Sequence, residues 1–269
     1  MTPDRSGLRS LVAGNRLVGA SVAAALLASL VSAWPGEPCR VTLQATGFAF
    51  PAERVDPATL CLIEPIINSA TTSGVVGPTT TPIPPSFYAY LLDHPGTIAS
   101  LVERFGIGSY QFITKGSNQF WGDDREGTHG LLTLLYQDQR SRLYHIDGYH
   151  EGHVFPIVRV KAAVFLRTTP VTTPEGYQAI ETSLAAYTKL NDPVLATLVS
   201  VLKPLIGDAV TRKLTKGFNA TTQLGALIAK DPHRVIQEVR SLPAIQPDER
   251  EVLTALLQGL PQPTRAPTP

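Results

Sequence analysis

The sequence is short of charge. Only 17% of its 269 residues are Asp, Glu, Lys or Arg, against 43% hydrophobic, and the formal net charge is +1. No arginine-rich stripe or basic-aromatic motif accompanies that balance, so nothing in the chain asks for a nucleic acid. Signatures of chemistry are missing as well. There is no Gly-x-Ser-x-Gly turn to present a nucleophilic serine, and Gly106-Ile107-Gly108 is too short to cradle a phosphate. Cysteine is limited to Cys39 and Cys61, with no histidine between them, which argues against a metal or a thiol nucleophile. What the chain does have is length and apolar content. It can bury a sizeable core and still line an internal surface larger than packing needs.

The two ends carry their own signals. Arg5, Arg9 and Arg16 form a basic lead, residues 17–30 are an alanine-rich apolar run, and Val31-Ser32-Ala33 supplies short side chains before Trp34. This pattern predicts a secretory signal over residues 1–33, with a retained membrane anchor as the alternative. No paired arginines mark a twin-arginine signal, and no lipobox precedes Cys39. The expected location is periplasmic or secreted. In such a compartment an even pair of cysteines predicts a Cys39–Cys61 disulfide, closing a loop of about twenty residues and worth about 3 kcal/mol. Residues 34–85 read as an appendage pinned by that bridge: 41–48 suit an edge strand, 61–65 are ambiguous, and the Pro/Thr-rich 77–85 read as an extended connector. Residues 261–269 read as a disordered tail.

Between these ends the apolar period changes twice. Ser86 is placed to cap a helix carrying Phe87, Tyr90, Leu91 and Leu92, and a second helix is expected over 96–105, stopped by Gly106 and Gly108. Runs rich in Val, Leu, Phe, Tyr and Thr follow at 110–114, 118–121, 128–136, 142–150, 159–168 and 178–190, separated by turn residues. Connections this short join antiparallel neighbours, which predicts a meander of about six strands. Residues 162–166 are apolar on both sides, so either both faces are covered or the sheet curls round an interior. Asp192-Pro193 then starts a helix whose apolar residues recur at three- and four-residue spacing as far as Lys230. Pro204 and Gly207 predict a kink or break there, with Asp208 recapping, and a further helix is expected over 247–260.

Helices, then a meander, then one long amphipathic helix is an order that resembles the START-like helix-grip superfamily, also called SRPBCC. The residues that carry the likeness are Phe87-Tyr88-Ala89-Tyr90-Leu91-Leu92-Asp93-His94-Pro95, the hairpin from Tyr136-Gln137-Asp138 to Arg142, and the closing helix from Pro193. It covers residues 86–230 and implies an α+β fold, a curved antiparallel β-sheet wrapped around a long kinked C-terminal helix, within a domain spanning 86–260. It also implies a cavity that holds a hydrophobic small molecule or lipid, with no cofactor. Contact with a membrane surface and the oligomeric state stay open. Two other readings stand beside the carrier: a cyclase or hydrolase on the same scaffold, and a noncatalytic envelope protein that uses the appendage as an interaction arm.

Candidate site residues follow from these readings. On an uninterrupted strand His145, Asp147, Tyr149, Glu151 and His153 would share a face. Gly148 and Gly152 predict a bulge that breaks that parity, and residues in line along a strand converge poorly on one ion. A polar outer face or a pocket rim is therefore expected in place of a metal site. Trp121, Tyr136, Tyr144 and Arg159 are the ligand-wall candidates from the strands, and Leu198, Leu202 and Phe218 those from the helix. The enzyme alternative would use Asp147, His150 or Glu181 as acid or base. Asn219-Ala220-Thr221 matches a glycosylation sequon, but inside a helix the match reads as chance.

Overall fold

Period-two segments in the middle of the chain pair as their alternation predicts, and one further strand joins them. In the computed structural model, which describes residues 39–42, 48, 50–152, 157–191 and 193–260 (of 193–206 the helical backbone only), seven strands form one open antiparallel sheet in the order β1-β7-β6-β5-β4-β3-β2. The strands are β1 Thr72–Thr81, β2 Gln111–Gly116, β3 Gln119–Asp123, β4 Thr128–Gln137, β5 Ser141–His150, β6 Val158–Thr172 and β7 Gln178–Leu190.

β1 corrects the reading of 77–85 as a mere connector, because Thr72–Thr81 pairs with β7 and forms one edge of the sheet. The register shifts between Val76 and Thr79, so Pro78 sits at the irregularity, where its missing amide breaks no regular ladder bond. The bulge expected at Gly148 is also absent. β5 pairs with β6 along its whole length without a shift, and its single irregularity against β4 falls between Leu134 and Tyr136. Gly148 instead faces Gly130, which faces Gly122 on β3. A Cβ on Gly130 would lie 3.0 Å from the Gly148 Cα, so this side-chain-free row lets the strands approach where bulkier residues would hold them apart.

Two short helices, α2 Pro85–Asp93 and α3 Pro95–Arg104, precede the meander. Each starts with proline at its first position, where the missing amide costs nothing, and Ser86 lies inside α2. After the sheet, α4 runs from Pro193 to Lys230 without interruption. The break expected at Pro204 and Gly207 does not occur: one proline deletes one internal hydrogen bond, and a helix this long stays continuous across the loss. Asp192, the expected cap, lies outside the described residues. α5 Pro232–Ser241 was not anticipated, yet it repeats the same Asp-Pro start, and the Asp231 carboxylate accepts from the Arg234 amide at 3.0 Å. α6 Pro247–Gln258 closes the described chain.

Alternation gives the sheet two apolar faces with different covers. On the convex side, α1 (Pro57–Ile67) lays Ile63, Ile66 and Ile67 on Leu143, Ala163, Phe165, Ala185 and Tyr187. Phe50 adds its ring at 4.2 Å from that of Phe165. The Cys39–Cys61 disulfide, spanning 22 residues, anchors the preceding chain to α1. On the concave side lie α2, α3 and the second half of α4, backed by α5 and α6 around Leu101, Leu224, Val235 and Leu253. α4 runs beside β1, where a Cβ on Gly225 would collide with Thr81 Cγ2. Among the described residues no helix is long and apolar enough to cross a membrane.

Candidate functional site: a cavity between the sheet and the long helix

The inward faces of the strands and α4 do not meet along their whole length. Val164, Leu166 and Leu184 point from β6 and β7 toward α4, which offers Leu214 and Phe218. Farther across the sheet, β2 to β5 contribute Phe112, Phe120, Leu132, Tyr144 and Ile146, while α2 and α3 supply Tyr88, Leu92 and Ile98. The glycine row sits on the same inward face, and the Phe112 ring lies against Gly122. These elements line a partly open cavity of about 320 Å³ walled mostly by apolar side chains. A shallower depression of about 420 Å³ also lies along α4, lined by Arg212, Lys216, Asn219 and Gln223, and the more apolar space between sheet and helix is the better candidate for a ligand.

Polar groups reach the cavity from few directions. Burial raises the proton affinity of the Tyr144 hydroxyl, partly opposed by the Arg142 guanidinium, and burial also raises those of Tyr88 and Tyr110. Lys213 of α4 is the charged side chain on the wall. Its ammonium lies 2.5 Å from Asp124 and 3.5 Å from Glu126, and Lys216 also pairs with Glu126. These pairs clasp the β3–β4 loop to α4 beside the cavity. Asp124 also shapes its own loop, accepting from the amides of Glu126 at 2.8 Å and Thr128 at 2.9 Å. Burial pushes the Asp124 carboxyl up, but the Lys213 ammonium and these amides more than offset it, leaving the group below the usual carboxylate range.

Tyr144 and Phe218 stand on the cavity wall. Trp121, Tyr136 and Arg159 do not line it: alternation puts Trp121 and Arg159 on the opposite side, and the register shift in β4 puts Tyr136 there too. Phe120 takes the inward place beside Trp121. The β4 irregularity turns Tyr136 to the α1 side, where its hydroxyl donates to Asp138 at 2.7 Å, and Arg159 is exposed. The side chains of Leu198 and Leu202 lie outside the described residues. Residue type suggested these positions, whereas the phase of each strand decides them. Counting the phase from Phe120 and Tyr144 would have found Leu132, Ile146 and Leu184.

The three acid-base candidates are not gathered. Asp147 is exposed on the convex side, 3.4 Å from Lys161. Glu181 shares the outward phase of Ala185 and Tyr187. His150 sits at the end of β5, its Nδ1 at 3.1 Å from Thr128 Oγ1. Among the described residues, no three His, Cys, Asp or Glu side chains cluster closely enough to hold a metal ion. His153 lies outside them.

An open antiparallel sheet with a long helix and a cavity between them defines the helix-grip architecture. No protein-family model matches the chain, and no curated protein matches it. Among solved structures it is similar to a conserved protein from Geobacillus kaustophilus, at 10% identity over 57% of this chain and 93% of that one with a TM-score of 0.42. It is similar to Ara h 8.0201 at 17% identity over 57% and 97%, TM-score 0.36. An uncharacterised protein from Rhizobium leguminosarum gives 9% identity over 57% and 93%, TM-score 0.35.

Proposed function

We propose that the protein is an exported carrier or binding protein for a hydrophobic small molecule of lipid-like character, held between the sheet and α4. The observation that supports this most is the apolar cavity itself. An apolar guest would make contacts with its lining atoms while shedding its own hydration at about 25 cal/mol per Å². The disulfide fits an oxidising compartment, and the low surface charge fits a protein that trades polar surface for internal apolar wall. The signal proposed for residues 1–33 lies outside the described residues, and residues 86–260 form the ligand-holding domain of this reading.

The test is native mass spectrometry of the protein purified from its own compartment, followed by organic extraction. Retention of an apolar molecule that competes with hydrophobic probes supports the proposal. An empty protein that takes up no such probe ends it.

A further inference from the structure

The inward side chains of β5 change character along the strand. Tyr144 and Ile146 line the cavity, but the next inward residue, Arg142, lines a second and tighter chamber of about 110 Å³. In the β5–β6 register Tyr144 faces Val164 and Arg142 faces Leu166, so the chamber begins about 7 Å farther along the sheet, one inward row on. Tyr88, Leu92 and Leu166 line both spaces and form the partition between them. The two are therefore consecutive compartments of one concave face, the larger apolar and the smaller ending on a guanidinium.

That guanidinium is out of water without being fully used. The Arg142 side chain is 10% exposed, donates to Asp93 Oδ1 at 2.6 Å, and reaches the Ala89 carbonyl at 3.4 Å. Tyr144 is a third partner, and a guanidinium carries five N–H donors, so the three contacts do not exhaust it. Ser141 and Thr168 add hydroxyls to the chamber. Arg140 lines it too, and Arg54 lies 3.5 Å from Asp138, whose carboxylate is already held by the Arg140 and Ser141 amides. Two guanidiniums, Arg140 and Arg142, line the chamber beside the Asp138 carboxylate, whose oxygens are already taken, and the paired N–H groups of a guanidinium suit an incoming anion with paired oxygens.

We infer that the Arg142 chamber is a head-group subsite and that the ligand is an apolar molecule ending in a carboxylate, its body in the cavity and its head on Arg142. This rests on the carrier reading and adds the chemical class of the guest. Passage of the head requires the Tyr88, Leu92 and Leu166 side chains to part.

The experiment compares decanoic acid with 1-decanol at neutral pH by calorimetric titration, for the wild type and for Arg142→Gln and Asp93→Asn. The acid is expected to bind about tenfold more tightly than the alcohol. Arg142→Gln should abolish that preference, so that acid and alcohol bind alike. Asp93→Asn, which keeps the cation and removes its competitor, should widen the preference, and it carries the test if Arg142→Gln does not fold. Equal binding of acid and alcohol by the wild type, or a preference that survives Arg142→Gln, overturns the head-group assignment and leaves the apolar cavity reading standing. Binding of neither probe overturns the carrier reading with it.

Discussion

The two faces of β6 and β7 are built from neighbouring residues and meet opposite fates. Ala163, Phe165, Ala185 and Tyr187 are sealed beneath α1, ring against ring, while Val164, Leu166 and Leu184 touch α4 through Leu214 and Phe218 and also line the cavity beside it. Hydrophobicity does not distinguish the two sets. The cover does: α1 is a short helix that lies on the sheet, whereas α4 runs beside the edge strand β1 and leaves the middle of the concave face to α2 and α3. One face is therefore structural core, and the other is wall.

The comparison predicts different responses to truncation. On the packed side, Phe165→Ala should cost about 3–5 kcal/mol of unfolding free energy, because both Phe50 and Tyr187 lose a ring partner. Chemical denaturation measures this, and a loss under about 1 kcal/mol would show that α1 is only loosely seated. Reduction of the Cys39–Cys61 bridge acts on the same side and should cost about 3 kcal/mol. On the hollow side, Leu184→Ala enlarges space that already exists, so its cost should stay at the low end for such a truncation, about 2 kcal/mol, while affinity for apolar probes changes. A Leu184→Ala penalty equal to that of Phe165→Ala would erase the distinction between the faces.

Two glycines of α4 sharpen the contrast at one-residue resolution. A Cβ on Gly225 collides with Thr81, but one on Gly217, which lines the cavity, meets no heavy atom within 4 Å. Gly225→Leu should destabilise the contact with β1. Gly217→Leu should gain about 1 kcal/mol from helix propensity alone. Smallest of all, the faces should differ in acid. Burial holds the His145 imidazole on the convex side below its ordinary proton affinity, so the stability it contributes is present above the unfolded value near 6.5 and is lost as pH falls through its lower folded value. Asp124, depressed in the clasp beside the cavity, keeps its contribution until pH falls below the usual carboxylate range. Hydrogen exchange across a pH series should therefore show α1 loosening before the β3–β4 loop, and the reverse order would contradict the assignment.

Much of this architecture is legible in the residues. The meander from Gln111 to Leu190 and the start of α4 at Pro193 follow from alternation and from Asp-Pro, both local signals. The doubly apolar run 162–166 left two readings open, covered faces or a curled sheet, and both faces of β6 are covered. β1 was hidden because Pro78 and a run of threonines resemble a linker, and its identity as a strand depends on pairing with β7, more than a hundred residues away. The wall residues were half legible: Tyr144 and Phe218 could be named, but Trp121, Tyr136 and Arg159 were chosen by type when a single step of phase decides the face. Arg142 gave no sign at all. Its burial is created jointly by α2 and β5, which no single stretch of sequence records.

The most direct measurement is a titration of the neutral, polarity-sensitive dye Nile red into the wild type and Gly217→Leu, with the melting temperature of each recorded alongside. Saturable one-to-one binding with blue-shifted emission is expected for the wild type. In Gly217→Leu the affinity should fall about tenfold or more while the melting temperature holds or rises, because the new side chain occupies the guest's place. Equal binding by both proteins, or binding by neither, would contradict the claim that the space beneath α4 is a ligand site.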